Sequence, residues 1–205
     1  MTGLRSRRQR AAVTAAAIVA VMLLAGCAGG KNGALSSQYR GGETKNYVSG
    51  DGTVTQVPTS NRGAPVRFDE TATDGTQLNS EDLRGQVVVL NFWYASCPPC
   101  RAEAKHLNTV AERFATENVQ FVGVNVRDAQ GTAEAFERRF NVTYPSILDN
   151  DTGRMQLALS GEVAPNAVPT TIVLDTQGRV AVRILGAIGG PGTLATLITD
   201  ELTRA

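Results

Sequence analysis

Cys97-Pro98-Pro99-Cys100 sets two thiols three residues apart, the spacing at which a disulfide can close and reopen within one turn of chain. The chain has only three cysteines and one histidine, so the pair lacks the partners for a conventional four-ligand zinc site unless carboxylates help. The pair follows a continuous apolar run, Gln86 to Trp93, and opens a helical pattern that reaches about Thr116. At a strand-to-helix junction, two redox-active thiols are the better reading of the motif. Unpaired backbone N–H groups and the helix dipole favour a thiolate at Cys97. Pro98 forfeits no hydrogen bond in the first helical turn, and both prolines stiffen the loop. Cys97 is therefore expected to be the exposed nucleophile, and Cys100, deeper in the helix, the thiol that resolves a mixed disulfide.

Cys100, Glu103, Leu107, Val110 and Phe114 recur at steps of three and four, one face of a helix. Glu103 thus falls on the apolar stripe one turn after Cys100, where desolvation would raise its pKa and suit it to exchange a proton with a buried thiol. The alternative is a rim carboxylate paired with Arg101 or Lys105. His106 lies off the stripe and reads as a surface residue. Val168-Pro169 leads another apolar run; the proline is either a plain strand-start residue or a cis bond that sets the Val168 backbone beside the cysteines.

The elements that must position these residues read in the order β-α-β-α, then a hairpin, then α. Strands are expected at Gln86–Trp93, Val119–Val126, Thr170–Asp175 and Arg179–Leu185, the last two joined at Gln177-Gly178. Helices are expected over about 98–116, 132–140, 153–159 and 192–203. Shorter extended pieces flank Asp74-Gly75. This predicts an α/β domain from residue 64 to 205 whose central mixed β-sheet has a parallel core, an antiparallel edge from the final hairpin, and helices on both faces. Residues 27–63, rich in Gly, Ser and Thr, read as a flexible tether of roughly 30–36 Å end to end. Within it, Tyr47-Val48 and Thr53-Val54-Thr55 around Ser49-Gly50-Asp51-Gly52 read as an N-terminal β-hairpin extension.

Residues 1–26 have a signal-peptide layout: Arg5, Arg7, Arg8 and Arg10, then an uncharged stretch, then Leu24-Ala25-Gly26-Cys27. That last segment resembles the bacterial lipobox, which implies cleavage before Cys27 and acylation of its thiol; an uncleaved membrane anchor is the alternative. The whole chain carries 20 basic and 19 acidic residues, a formal charge of +1. Cleavage removes four arginines and no acidic residue, leaving 16 against 19 and a charge of −3. Such a balance gives no basic face for nucleic acid, and membrane attachment would come through acyl chains.

Three separated segments carry a family likeness: Asn91-Phe92-Trp93-Tyr94-Ala95-Ser96-Cys97-Pro98-Pro99-Cys100-Arg101-Ala102-Glu103, Gly123-Val124-Asn125, and Val168-Pro169-Thr170-Thr171-Ile172-Val173-Leu174-Asp175. Over about 64–203 the chain resembles the TlpA/ResA-like group of thioredoxin-fold, membrane-tethered thiol-disulfide oxidoreductases, here as a bacterial lipoprotein. The resemblance implies a thioredoxin-like fold, a redox-active disulfide between Cys97 and Cys100, and an acidic residue at Glu103. It also implies a cis-proline at Pro169, with substrate contacts at Trp93, Val168 and Pro169. It implies a monomer on the extracytoplasmic side of the cell membrane, without cofactor. Its partners would be proteins with cysteines or disulfides, apocytochrome c among them during cytochrome c maturation, and a membrane thiol transporter as electron donor. Two departures from cytosolic thioredoxins fit the envelope group: Asn91 replaces their buried Asp, and Pro98-Pro99 replaces Gly-Pro. A disulfide oxidase in oxidative folding would use the same residues in reverse, and a metal-binding envelope lipoprotein is a further alternative.

Overall fold

The computed structural model describes residues 51–162 and 167–204, all within one compact unit, Lys45–Ala205. Cys27, the signal segment and Tyr47-Val48 lie outside the described residues. A six-stranded sheet is built from β1 (Asp51–Gln56), β4 (Val87–Trp93), β5 (Val119–Asn125), β6 (Ser146–Leu148), β7 (Thr170–Leu174) and β8 (Val180–Gly186). Its spatial order is β1-β8-β7-β4-β5-β6. The neighbours β4, β5 and β6 run parallel, and β4-β7, β7-β8 and β8-β1 are antiparallel. A separate hairpin pairs β2 (Asp69–Thr71) with β3 (Gln77–Asn79), around the turn at Asp74-Gly75.

The helices are α1 (Pro98–Arg113), α2 (Gln130–Phe140), α3 (Arg154–Ala158) and α4 (Pro191–Thr203). Every residue of β4 is buried, which is why its sequence is continuously apolar and does not alternate. Its odd positions Val87 and Val89 pack with Leu107, Val110 and Phe114 of the α1 face and with Leu194 and Ile198 of α4. Its even positions Val88, Leu90 and Phe92 face a second core with Ala133 and Phe136 of α2 and Met155 of α3. Helices thus cover both faces, as the alternation of strand and helix patterns predicts.

Two expectations are corrected at the N-terminal end. Residues 51–63, assigned by composition to the tether, belong to the folded domain: β1 pairs with β8, and Val57 N–H donates to Ala181 O at 2.8 Å. The described half of the expected hairpin extension therefore adds a strand to the main sheet, in register Val54 with Ile184 and Gln56 with Val182. As a result the β7-β8 hairpin is not the sheet edge, because β1 covers it. What fastens the segment is long-range. Arg62, 4% exposed at its side chain, reaches Asp175 at 2.9 Å and Glu201 at 2.7 Å, and composition carries no sign of such contacts.

Candidate active site

The dithiol sits where β4 gives way to α1. Cys97 is the residue that caps α1: its backbone is extended and its Sγ accepts from Cys100 N–H at 3.2 Å. Pro98 and Pro99 occupy the first positions of the helix, where a missing N–H costs nothing. Cys97 and Cys100 are joined in a disulfide with their Cα atoms 5.3 Å apart. The expectation that Cys97 is exposed is corrected: it is 0% exposed and Cys100 2%. Cys97 lies in the same buried cluster as Trp93, Tyr94 and Val168.

Glu103 is buried, 1% exposed, and makes no ion pair with Arg101 or Lys105; the rim alternative falls. Its Oε1 accepts from Asn91 Nδ2 at 3.0 Å and its Oε2 from Ile188 N–H at 2.9 Å. Burial pushes its pKa up to about 7, against the pull of those two donors. In the unfolded chain the group ionises near 4.5, so between pH 4.5 and 7 folding takes up a proton. The native protein is therefore expected to lose about 3 kcal/mol of stability as pH rises through that window and to level off above it. Urea melts at stepped pH read this directly, and Glu103→Gln should remove most of the slope. A flat wild-type profile would show that Glu103 ionises normally.

The peptide bond Val168-Pro169 is cis, as the resemblance implies. Val168 is buried in the same cluster as both cysteines, and Pro169 O accepts from Gly186 N–H at 2.9 Å, tying this turn to the end of β8. Trp93 differs from expectation. It is 4% exposed with its ring 4.3 Å from Phe136, so it packs beneath the loop and offers no face to a substrate. Close packing of β5 on Trp93 and β6 explains Gly123, where a Cβ would come within 2.9 Å of Trp93 Nε1 and overlap Ser146 Oγ.

Sequence reading missed the loop that holds the cysteine loop in place. Asp128 Oδ2 accepts from Ala95 N–H at 2.6 Å and from Asn125 Nδ2 at 2.9 Å, while Asn125 Oδ1 accepts from Arg127 and Asp128 N–H. Arg127 lies over the Tyr94 ring at 5.0 Å. An Asn ending a strand with an Asp three residues on is the one local signal that could have marked this turn. Asn91 reads from sequence only as a departure, yet its amide also donates to Thr171 Oγ1 at 3.2 Å. Asn91, Trp93, Cys100 and Tyr144 help line a cavity of about 10 Å³, near the space one water requires.

A dithiol capping a helix, with a buried acid on the same helix and a cis Val168-Pro169 bond whose valine shares the cysteines' cluster, is an arrangement suited to thiol-disulfide exchange. The sequence profile described as Redoxin matches residues 55–197. The thiol-disulfide oxidoreductase ResA of Bacillus subtilis (strain 168) is 30% identical over 116 residues, 57% of this chain and 62% of that protein. ResA of Geobacillus thermodenitrificans (strain NG80-2) is 31% identical over 56% of this chain and 63% of its own length, so the chain spans a little under two thirds of these relatives. Among solved structures, a DsbF homologue from Corynebacterium diphtheriae superposes with a TM-score of 0.65 at 31% identity, covering 75% of this chain and 96% of the other. A secreted thiol-disulfide isomerase from Corynebacterium glutamicum gives 0.66 at 31%, over 76% and 96%. Fold, motif and profile agree: the chain belongs to the Redoxin family, with a thioredoxin-like fold and a dithiol segment similar to that of the ResA oxidoreductases.

Proposed function

We propose that the chain is an extracytoplasmic thiol-disulfide oxidoreductase that reduces disulfides of envelope proteins, apocytochrome c among them, through Cys97 and Cys100. The observation that carries this reading is the buried Glu103 on the helix that Cys97 caps. A reductase must deprotonate Cys100 while that thiol is still enclosed, and a carboxyl group titrating near 7 one turn away can take the proton. In the working direction the Cys97 thiolate attacks a substrate disulfide, forming a mixed disulfide and releasing one substrate thiolate. Cys100, giving its proton to Glu103, attacks Cys97 Sγ and releases the second. Two electrons pass to the substrate and the Cys97–Cys100 disulfide forms. A membrane thiol transporter would return the electrons. The substrate backbone would pair beside Val168 and Pro169, since Val168 shares the buried cluster of the cysteines.

Attachment through an acylated Cys27, after removal of residues 1–26, would hold the domain at the outer face of the cell membrane, with the segment before β1 as its tether. Among the described residues no helix is long and apolar enough to cross a membrane. The secreted relative from Corynebacterium glutamicum supports an extracytoplasmic place.

The midpoint potential decides direction. Trp93, the only tryptophan, lines a cavity with Cys100, so its fluorescence can follow the couple in glutathione buffers. A potential at or below about −200 mV, in the range of reducing dithiols, is expected; a value near about −120 mV, that of a strong oxidant, would overturn the reductase reading.

A further inference from the structure

We propose that Asn91 is a positioning residue that holds the Glu103 carboxylate, in its ionised form, against the pocket of Cys100. The inference rests on the reading of Glu103 as the proton acceptor for that thiol. It goes beyond it by assigning the group that makes the acceptor work.

Asn91 lies on β4, buried, between three things that the chemistry joins. One proton of its Nδ2 goes to Glu103 Oε1 at 3.0 Å and the other to Thr171 Oγ1 at 3.2 Å, on the strand that follows Pro169. Its side chain also helps line the small cavity shared with Cys100 and Tyr144. Both donors on the carboxyl, Asn91 Nδ2 and Ile188 N–H, give hydrogens and accept none, so each favours the charged form over the acid. Ile188 is backbone and fixed by the fold. Asn91 is the side chain through which sequence can set the acid's proton affinity.

The electrostatic surroundings leave Asn91 little competition. Among the described residues no charged side chain contributes to the Glu103 balance, which consists of burial, Ile188 and Asn91. Toward the site its own helix offers Cys100, held in the disulfide here and a titratable thiol only after reduction. From the segment between α2 and β6, Tyr144 faces it, and burial and the charge of Glu103 hold that hydroxyl well above its usual range, so it stays neutral. The loop after β8 contributes only the Ile188 amide, and β7 only the Thr171 hydroxyl.

An aspartate at position 91 would reverse the logic. Ionised, it has no hydrogen to donate, and it would set a second carboxyl about 3 Å from the first, where the two share one proton and lose it only in a raised, coupled second step. Asparagine at 91 and glutamate at 103 are therefore one unit: a single carboxylate and a neutral donor. Exchanging the two, Asn91→Asp with Glu103→Gln, preserves that unit. The amide then at position 103 can accept from Ile188 N–H and donate to the carboxylate then at position 91, and the Thr171 hydroxyl can turn to donate.

The test reads the carboxyl itself, independently of turnover, by carbon-13 NMR of glutamate side chains in the oxidised protein. Wild-type Glu103 should titrate near pH 7. Asn91→Ala should move the midpoint up by about one pH unit, a tenfold change in proton affinity, and Asn91→Asp should move it further as a coupled pair. In a Cys97→Ala background the exchanged double variant should recover a wild-type-like pH profile of Cys100 alkylation that Asn91→Asp alone loses. An unchanged Glu103 midpoint in both single variants, or a double variant no better than Asn91→Asp, overturns the proposal. A Cys100 profile indifferent to Glu103→Gln alone would instead strike the proton-acceptor reading, and the NMR midpoints tell the two failures apart.

Discussion

In Cys100→Ala, turnover of a disulfide substrate falls to the rate of the buffer thiol alone, and the protein accumulates as a mixed disulfide through Cys97. The asymmetry follows from where the helix begins. Cys97 is the capping residue, its sulfur facing the free N–H groups of the first turn, where a thiolate is favoured and attack on a substrate is fastest. Cys100 lies within the helix on the same face as Glu103 and can act only on the sulfur three residues before it. Removing it leaves the first exchange intact and abolishes the second, so the intermediate has no intramolecular escape. Cys97→Ala should abolish both the turnover and the trapped species. Non-reducing gels followed by mass spectrometry would show the adduct and name the trapped partner. Adducts through Cys100 in Cys97→Ala, at comparable yield, would reverse the assigned order of the two thiols.

The site was legible where chemistry depends on neighbours in sequence. The CxxC at a strand-to-helix junction, the three-four spacing that puts Glu103 on the buried face, and the proline before β7 are all local patterns, and each recurs in the folded domain. What stayed hidden depends on separation. Asn91 meets Glu103 twelve residues away and Thr171 eighty away, through the pairing of β4 with β7. Ile188 reaches Glu103 across 85 residues from a loop that has no motif of its own. β6 is three residues long and too short for a periodic signal, although it extends the parallel core. The extended character of Thr53-Val54-Thr55 was legible within a Gly- and Thr-rich stretch, but its pairing with β8 was not, because that partner lies some 130 residues further on.

The segment that follows this edge strand gives a second large expected effect on stability. Arg62→Met should destabilise the domain by about 3 kcal/mol, the low end for breaking a buried ion pair, and lower the melting temperature by about 6–12 °C. Arg62 binds Glu201 through both terminal nitrogens, at 2.7 and 2.9 Å, Asp175 at 2.9 Å, and Val57 O through Nε at 3.1 Å. Methionine conserves much of the volume and none of the charge, so two carboxylates at 2% and 6% side-chain exposure lose a shared cation. The loss stays near the low end because Arg179 still pairs with Asp175 and Arg204 with Glu201. Burial pushes the Asp175 carboxyl up, but hydrogen bonds from Arg179 N–H and from the Arg62 and Arg179 side chains outweigh it and hold the group below its usual range. A carboxylate with a depressed folded pKa contributes stability above its unfolded value and loses it as pH falls through the folded one. The variant should therefore lose most against wild type at neutral pH and converge with it in acid. Glu201→Gln in the same chain should recover part of the loss, since it removes one of the stranded charges. The dithiol potential should not move, because β1 and α4 hold no residue of the site. Thermal melts at stepped pH with the paired variants check this, and a neutral-pH loss below about 1 kcal/mol, the range of exposed pairs, would mean that Arg62 does not anchor β1.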